Sequence, residues 1–209
     1  QRMAQCPQDK LKPVIELFTE TALEIGEGQQ YDMDFETRND VTEEEYIEMI
    51  RLKTSVLLAC ATKIGAIMAD APESDQENLY KFGEQIGLAF QLQDDLLDVY
   101  GDPKVFGKAV GGDITSNKKT FMLINACNRA NKEQRAELDK WVSAKTFDRN
   151  EKIAAVTKIY DEIGIRALCE EKIEYYFNRA KTYLDAVSVA PERKLELMDY
   201  SDRLMKRKK

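Results

Sequence analysis

The sequence predicts an all-α fold, and three observations carry that expectation. Apolar residues recur at three- and four-residue steps along most of the chain. Alternating β-branched runs are nearly absent, and glycine and proline number only 10 and 5 in 209 residues, so long helices run with few breaks. Apolar residues make up 43% and charged residues 33%, the balance of helices that bury one side and solvate the other. This length suits one domain with a sizeable core, and no repeat, linker or low-complexity tract divides it.

Gln1 to Cys6 carries no initiator Met and no cap, and reads as the last turns of a helix that begins upstream. The chain is therefore expected to be part of a longer one. A long helix is predicted from Pro13, at a first-turn position, to about Arg38, with Val14, Leu17, Phe18, Ala22, Leu23 and Ile25 on its apolar side and Gly26 and Gly28 interrupting it. Thr42-Glu43-Glu44-Glu45 is a capping box opening the next helix, whose inner face carries Tyr46, Met49, Ile50, Lys53, Leu57 and Ala61. Lys53 sits where this face turns apolar; such a lysine more often snorkels to solvent than works. Ser74-x-x-Glu77 reads as a second capping box. It would open a central helix in which Leu79, Phe82, Ile86, Ala89 and Phe90 recur at helical steps.

That helix carries the chemistry. Gln91, Asp94, Asp95 and Asp98 fall at i, i+3, i+4 and i+7, on one face, with Asp94 and Asp98 about 6 Å apart along the axis. On a solvated helix this would be an acidic surface. Here the acids lie among Leu88, Phe90, Leu92, Leu96, Leu97 and Val99, so the helix is interior and the acids need a polar cavity. Carboxylates this close repel unless a cation lies between them, and Mg²⁺ usually reaches a protein through one or two carboxylates plus substrate phosphate. Gly101-Asp102-Pro103 ends the helix. Gly107, Lys108, Gly111, Gly112 and Asp113 follow, and then Lys118 and Lys119 at the next helix start, where cations oppose the dipole unless an anion binds. Acids for Mg²⁺ facing lysines for phosphate is the layout of a metal–diphosphate site.

The remaining pattern predicts scaffold: a helix from Phe121, one over about 131–143, one over about 149–187 broken at Gly164, and one over about 191–205. Several function classes are excluded. A net charge of −7 argues against nucleic acid, and no apolar window is long enough for a membrane span. The absence of histidine removes His-based triads. Cys6, Cys60, Cys127 and Cys169 lack metal spacing and read as reduced core residues of a cytoplasmic protein.

The run from Phe90 to Thr120, with Gln-x-x-Asp-Asp-x-x-Asp, Gly-Asp-Pro, Gly-Lys, Gly-Gly-Asp and Lys-Lys-Thr, closely resembles the second aspartate-rich region of trans-type isoprenyl diphosphate synthases. These are the farnesyl, geranylgeranyl and longer polyprenyl enzymes. The resemblance implies an isoprenoid synthase-type bundle of long helices around a deep central cavity, and Mg²⁺-dependent joining of an allylic diphosphate to isopentenyl diphosphate by ionisation, condensation and elimination. It implies that Asp94 and Asp98 hold metal with Asp95 in the outer shell, and that Lys53, Lys108 and Lys118 hold the allylic diphosphate. Thr54 and Gln91 would face the carbocation, Gln29 would line the allylic cavity, and Asp32 would support the neighbouring lysine. A homodimer is implied too, and the basic tail Lys206-Arg207-Lys208-Lys209, by default a solvated terminus, would fold over a diphosphate. The family's first Asp-rich motif, its following arginine pair and its Gly-Lys-x-x-Arg segment are absent from these residues. Residues 1–209 thus resemble the C-terminal two-thirds of one helical prenyl-synthase domain. Two other functions compete: a non-catalytic subunit that keeps the fold, and terpene cyclisation. The intact acidic motif and the three lysines disfavour the first, and the lysine-rich loop disfavours the second.

Overall fold

The computed structural model describes residues 6–102 and 110–205, and the regular secondary structure among them is helical. Lys108, Gly107, Pro103, the chain start and the basic tail lie outside the described residues. Helix α1 spans Gln8–Phe35 and α2 spans Glu43–Ile50; one π-helical turn, Arg51–Ser55, then leads into α3, Val56–Met68. Helix α4, Glu73–Tyr100, is the 28-residue centre of the molecule, about 42 Å long. After it come α5 (Gly112–Ser116), α6 (Phe121–Arg129), α7 (Lys132–Ser143), α8 (Arg149–Ile163), α9 (Ile165–Ala186), a 3₁₀ turn (Pro191–Arg193) and α10 (Leu195–Met205).

The capping box at α2 is formed as predicted: the Thr42 hydroxyl accepts from the Glu45 amide at 3.2 Å, and Glu45 Oε2 accepts from the Thr42 amide at 2.9 Å. Three glutamates in that first turn complement the helix dipole. The break at Gly164 is also present, because its left-handed backbone (φ 81°) separates α8 from α9.

Several boundaries differ from the sequence expectation. Helix α1 begins at Gln8, so Pro13 falls inside it, and it ends at Phe35. Gly26 and Gly28 do not interrupt it. Gly28 serves a close approach instead: a Cβ there would lie 2.4 Å from the Lys53 backbone nitrogen. The Ser74 capping box is not formed; Pro72 is the N-cap and α4 starts at Glu73, two residues before the Asp75 start that a Ser74 cap would give. Asp75 is buried there and accepts from the Ser188 amide at 3.0 Å and its hydroxyl at 2.5 Å, tying the start of α4 to the end of α9. The last predicted helix divides into the 3₁₀ turn and α10.

Helix α4 is buried between α3 and α9. Leu88, Ala89, Leu92, Leu96 and Val99 meet Tyr46, Met49, Ile50, Phe121, Met122, Ile165 and Cys169 in the main core. Cys60 and Cys169 are buried as predicted; Cys6 and Cys127 are only half-buried, and all four are free thiols. No described helix is long and apolar enough to cross a membrane.

Candidate metal–diphosphate site

The acids of α4 divide by environment. Asp94 and Asp98 are half-buried on the open side of the helix, whereas Asp95 is 2% exposed. Asp95 Oδ2 accepts a short hydrogen bond from the Tyr46 hydroxyl, and its Oδ1 accepts from Gln91 Nε2 at 3.0 Å. With the Gln91 nitrogen committed to that carboxylate, its Oε1 faces the other way and accepts from the Thr54 hydroxyl at 3.1 Å. The chain Tyr46–Asp95–Gln91–Thr54 thus runs from the core to the open face. Burial pushes the Asp95 carboxyl up, while Lys118, Tyr46 and Gln91 pull it down; the net shift is upward.

Thr54 and Lys53 sit on the π-helical turn. Such a turn carries an extra residue and re-aims the side chains that follow. It is wedged between two helices that present glycine to it: Gly28 of α1 against Lys53, and Gly87 of α4, where a Cβ would come within 2.4 Å of Ser55 Cα. Lys53 Nζ pairs with Asp32 Oδ2 of α1 at 2.6 Å, their side chains 33% and 21% exposed.

The turn after α4 docks back on the acids. Gly111 has φ 82°, and its amide donates to the Asp98 carbonyl at 2.6 Å. Gly112 lies so close that a Cβ would be 3.2 Å from Asp98 Oδ1. The Asp113 amide then donates to Asp98 Oδ2 at 2.9 Å. Lys118 Nζ lies 3.8 Å from Asp113 Oδ1. Burial pushes Asp113 up to about 7, with Asp95, Asp98 and Asp94 adding to it and Lys118 opposing. Burial lowers the Lys118 ammonium, but Asp95, Asp113, Asp32 and Asp94 outweigh it and leave it raised. Carboxylates from α1, α4 and the 111–118 turn therefore act on one lysine.

The structure thus puts Thr54, Gln91, Asp94, Asp98 and Lys118 on the open side of α4, with Lys53 joined to them through Asp32 and Asp95 buried behind Gln91. Gln29 is exposed on α1. Sequence reasoning missed Tyr46, read only as a core residue, and the hydrogen bond that the Asp113 amide donates to Asp98. Its regular spacing gave Tyr46 no polar signal. The donor set fits a cation that arrives with phosphate. Among the described residues no group of three or more acids, thiols or imidazoles could hold a metal unaided. Two half-buried carboxylates one turn apart are, however, what Mg²⁺ uses when substrate oxygens and water complete its shell.

Comparison with known proteins shows the family of the chain. The family profile described as Polyprenyl synthetase matches residues 1–163. A short chain isoprenyl diphosphate synthase of Methanothermobacter thermautotrophicus is 39% identical over 194 residues, 93% of this chain and 55% of that protein. A geranylgeranyl diphosphate synthase of Methanosarcina mazei is 37% identical over 188 residues, 89% of this chain and 56% of its own length. Among solved structures, a geranylgeranyl pyrophosphate synthase superposes with a TM-score of 0.92 at 42% identity, over 99% of this chain and 64% of that one. One from Corynebacterium glutamicum, complexed with isoprenyl diphosphate and magnesium, gives 0.87 at 28% identity, over 97% and 57%. The chain spans just over half the length of these two sequence relatives. On the profile match, the identities and the shared all-α fold, this chain belongs to the polyprenyl synthetase family.

Proposed function

We propose that this chain supplies the allylic-diphosphate half of a prenyltransferase that condenses an allylic diphosphate with isopentenyl diphosphate, in the presence of Mg²⁺. The observation that carries the reading is a linked set on the open side of α4: Lys53 pairs with Asp32, Asp32 and Asp94 act with Asp113 on Lys118, and Asp98 accepts from the Asp113 amide. Burial, reinforced by Asp95, Asp98 and Asp94 and only partly opposed by Lys118, leaves Asp113 at about 7. The magnesium and isoprenyl diphosphate named for the Corynebacterium glutamicum relative support the same assignment.

In this reading Asp94 and Asp98 hold the metal, which supplies charge neutralisation to the departing diphosphate. Lys53 and Lys118 hold phosphate oxygens and keep them on the acid face. Lys108, outside the described residues, joins them. Thr54 donates its proton to Gln91, so its oxygen lone pairs remain free to face positive charge developing on the allyl carbon. Asp95 sits behind that amide and fixes its orientation. Gln29 borders the chain-binding space from α1. The complete site in this reading includes a first Asp-rich motif, which these 209 residues do not contain. The condensation is therefore proposed for the whole natural protein, to which residues 1–209 contribute this acid and lysine face. The reading includes a homodimer, supported by Ile15 and Phe18, exposed one turn apart on α1. It includes a cytoplasmic setting, supported by four free thiols.

The test is product formation from an allylic diphosphate and isopentenyl diphosphate by the complete natural protein, with and without Mg²⁺. Asp94→Asn should abolish most of the Mg²⁺-dependent turnover. Unchanged turnover in that variant would remove the assignment.

A further inference from the structure

Lys152 is a charged side chain that the mechanism above does not use, and its surroundings are unusual. It lies on α8 with no exposed surface. Its ammonium donates to Asn117 Oδ1 at 2.6 Å and lies 4.2 Å from the centre of the Phe147 ring. The cover is thin, since Phe147 is itself 39% exposed. Among the described ion pairs none involves Lys152, so the charge is met by a neutral amide and a ring face. A buried ammonium without a carboxylate is a stability cost, and such costs persist where function needs them.

What Lys152 holds is the turn that aims Lys118. Asn117 has φ 56°, a left-handed backbone uncommon outside glycine. Its Nδ2 donates to the Val142 carbonyl at 3.0 Å, which leaves Oδ1 as the acceptor for Lys152. The next residue is Lys118, whose amide donates to the Asp113 carbonyl at 3.0 Å, and whose carbonyl accepts from Thr120 at 2.9 Å. A small cavity of about 10 Å³ lies between Asp113, Asn117, Lys118 and Lys152, closed on its other sides by apolar residues such as Val142, Val156 and Tyr160. The side-chain amide of Asn117, clamped from α7 and α8, adds to the backbone hydrogen bonds from Asn117 to Ile114 and from Lys118 to Asp113 that shape the turn.

We propose that Lys152 is a positioning residue: through Asn117 it locks the left-handed turn that points Lys118 at the diphosphate. The inference rests on the proposed function of Lys118 and adds a residue about 35 positions downstream with no substrate contact of its own.

The experiment compares wild type, Lys152→Met and Asn117→Ala in the complete natural protein. It measures binding of inorganic diphosphate in Mg²⁺ by calorimetry, thermal midpoint, and KM for each diphosphate substrate. Met keeps the apolar stem and removes the charge. Lys152→Met should melt at the same temperature or higher, yet bind diphosphate about tenfold more weakly, as supporting residues behind ligands do. KM for the allylic diphosphate should rise with it, while that for isopentenyl diphosphate stays. Asn117→Ala should weaken diphosphate to a similar degree, and the double variant should be no worse than the worse single one, because both break one clamp. Unchanged diphosphate binding in Lys152→Met overturns the proposal. So does a loss of binding that merely follows a loss of folding, or full additivity in the double variant. Wild-type protein that binds no Mg²⁺-diphosphate would instead overturn the function assigned to Lys118.

Discussion

Two lysine–carboxylate pairs in this molecule look alike in composition and differ in balance. Glu43 and Lys172 join α2 to α9 at 2.7 Å, and Asn125 gives Glu43 a further hydrogen bond at 3.0 Å. Burial alone would raise Glu43, yet Lys172 and Asn125 overcome it and hold its carboxyl below the usual range. Asp113 and Lys118 stand 3.8 Å apart, and there burial is reinforced by three more carboxylates, so Asp113 rises to about 7. The scaffold pair is complete as it stands. The site pair carries surplus negative charge, and a divalent cation is the partner that would offset it. Under the proposed function, that difference separates a pair that stabilises the fold from one arranged to receive a ligand.

The sharpest way to break the comparison is to remove the surplus acids. Asp94→Asn with Asp98→Asn should lower Mg²⁺-dependent turnover by roughly 100-fold or more, while the ligand-free protein melts no lower than wild type, since like charges have been removed. Steady-state kinetics and thermal melts on the same preparation read both halves. Next in size is the close packing behind the site. A Cβ on Gly87 would come within 2.4 Å of Ser55 Cα, whereas one on Gly65 meets nothing within 4 Å. Gly87→Ala should therefore cost about 1–3 kcal/mol in urea denaturation, and Gly65→Ala should gain about 0.5–1 kcal/mol. Breaking the complete pair is milder: with side chains 30% and 28% exposed, Glu43→Gln should cost about 1 kcal/mol and leave turnover unchanged.

The smallest effect has the most telling sign. Glu43 is lowered in the fold, so its stabilisation is present above the unfolded carboxylate value and is lost as pH falls through the folded one. Asp113 is raised from 3.8 to about 7, so the folded state keeps a proton that the unfolded chain releases. Its contribution is full below about 4 and declines as pH climbs toward 7. Thermal midpoints across pH should show Glu43→Gln flattening the acid limb, and Asp113→Asn flattening the decline between those two values.

Much of this was legible in the chain. The period of α4 placed Gln91, Asp94, Asp95 and Asp98 on one side, and the Thr42 box and Gly164 marked ends that local chemistry decides. Other features were not, because they depend on partners remote in sequence. The π-helical turn exists where glycines of α1 and α4 allow it, and nothing in Arg51–Ser55 announces it. The inward turn of Asp95 depends on Tyr46, 49 residues away. Lys152 reads as an ordinary polar position beside Ile153, and only the fold shows its ammonium sealed beneath Phe147.

The most direct test is calorimetric titration of inorganic diphosphate into the complete natural protein, with and without Mg²⁺, in wild type and in the Asp94→Asn, Asp98→Asn variant. Tight binding should require Mg²⁺ and both carboxylates together. Diphosphate that binds equally well without Mg²⁺, or to the variant as to wild type, would contradict the bridging of acid face and lysines.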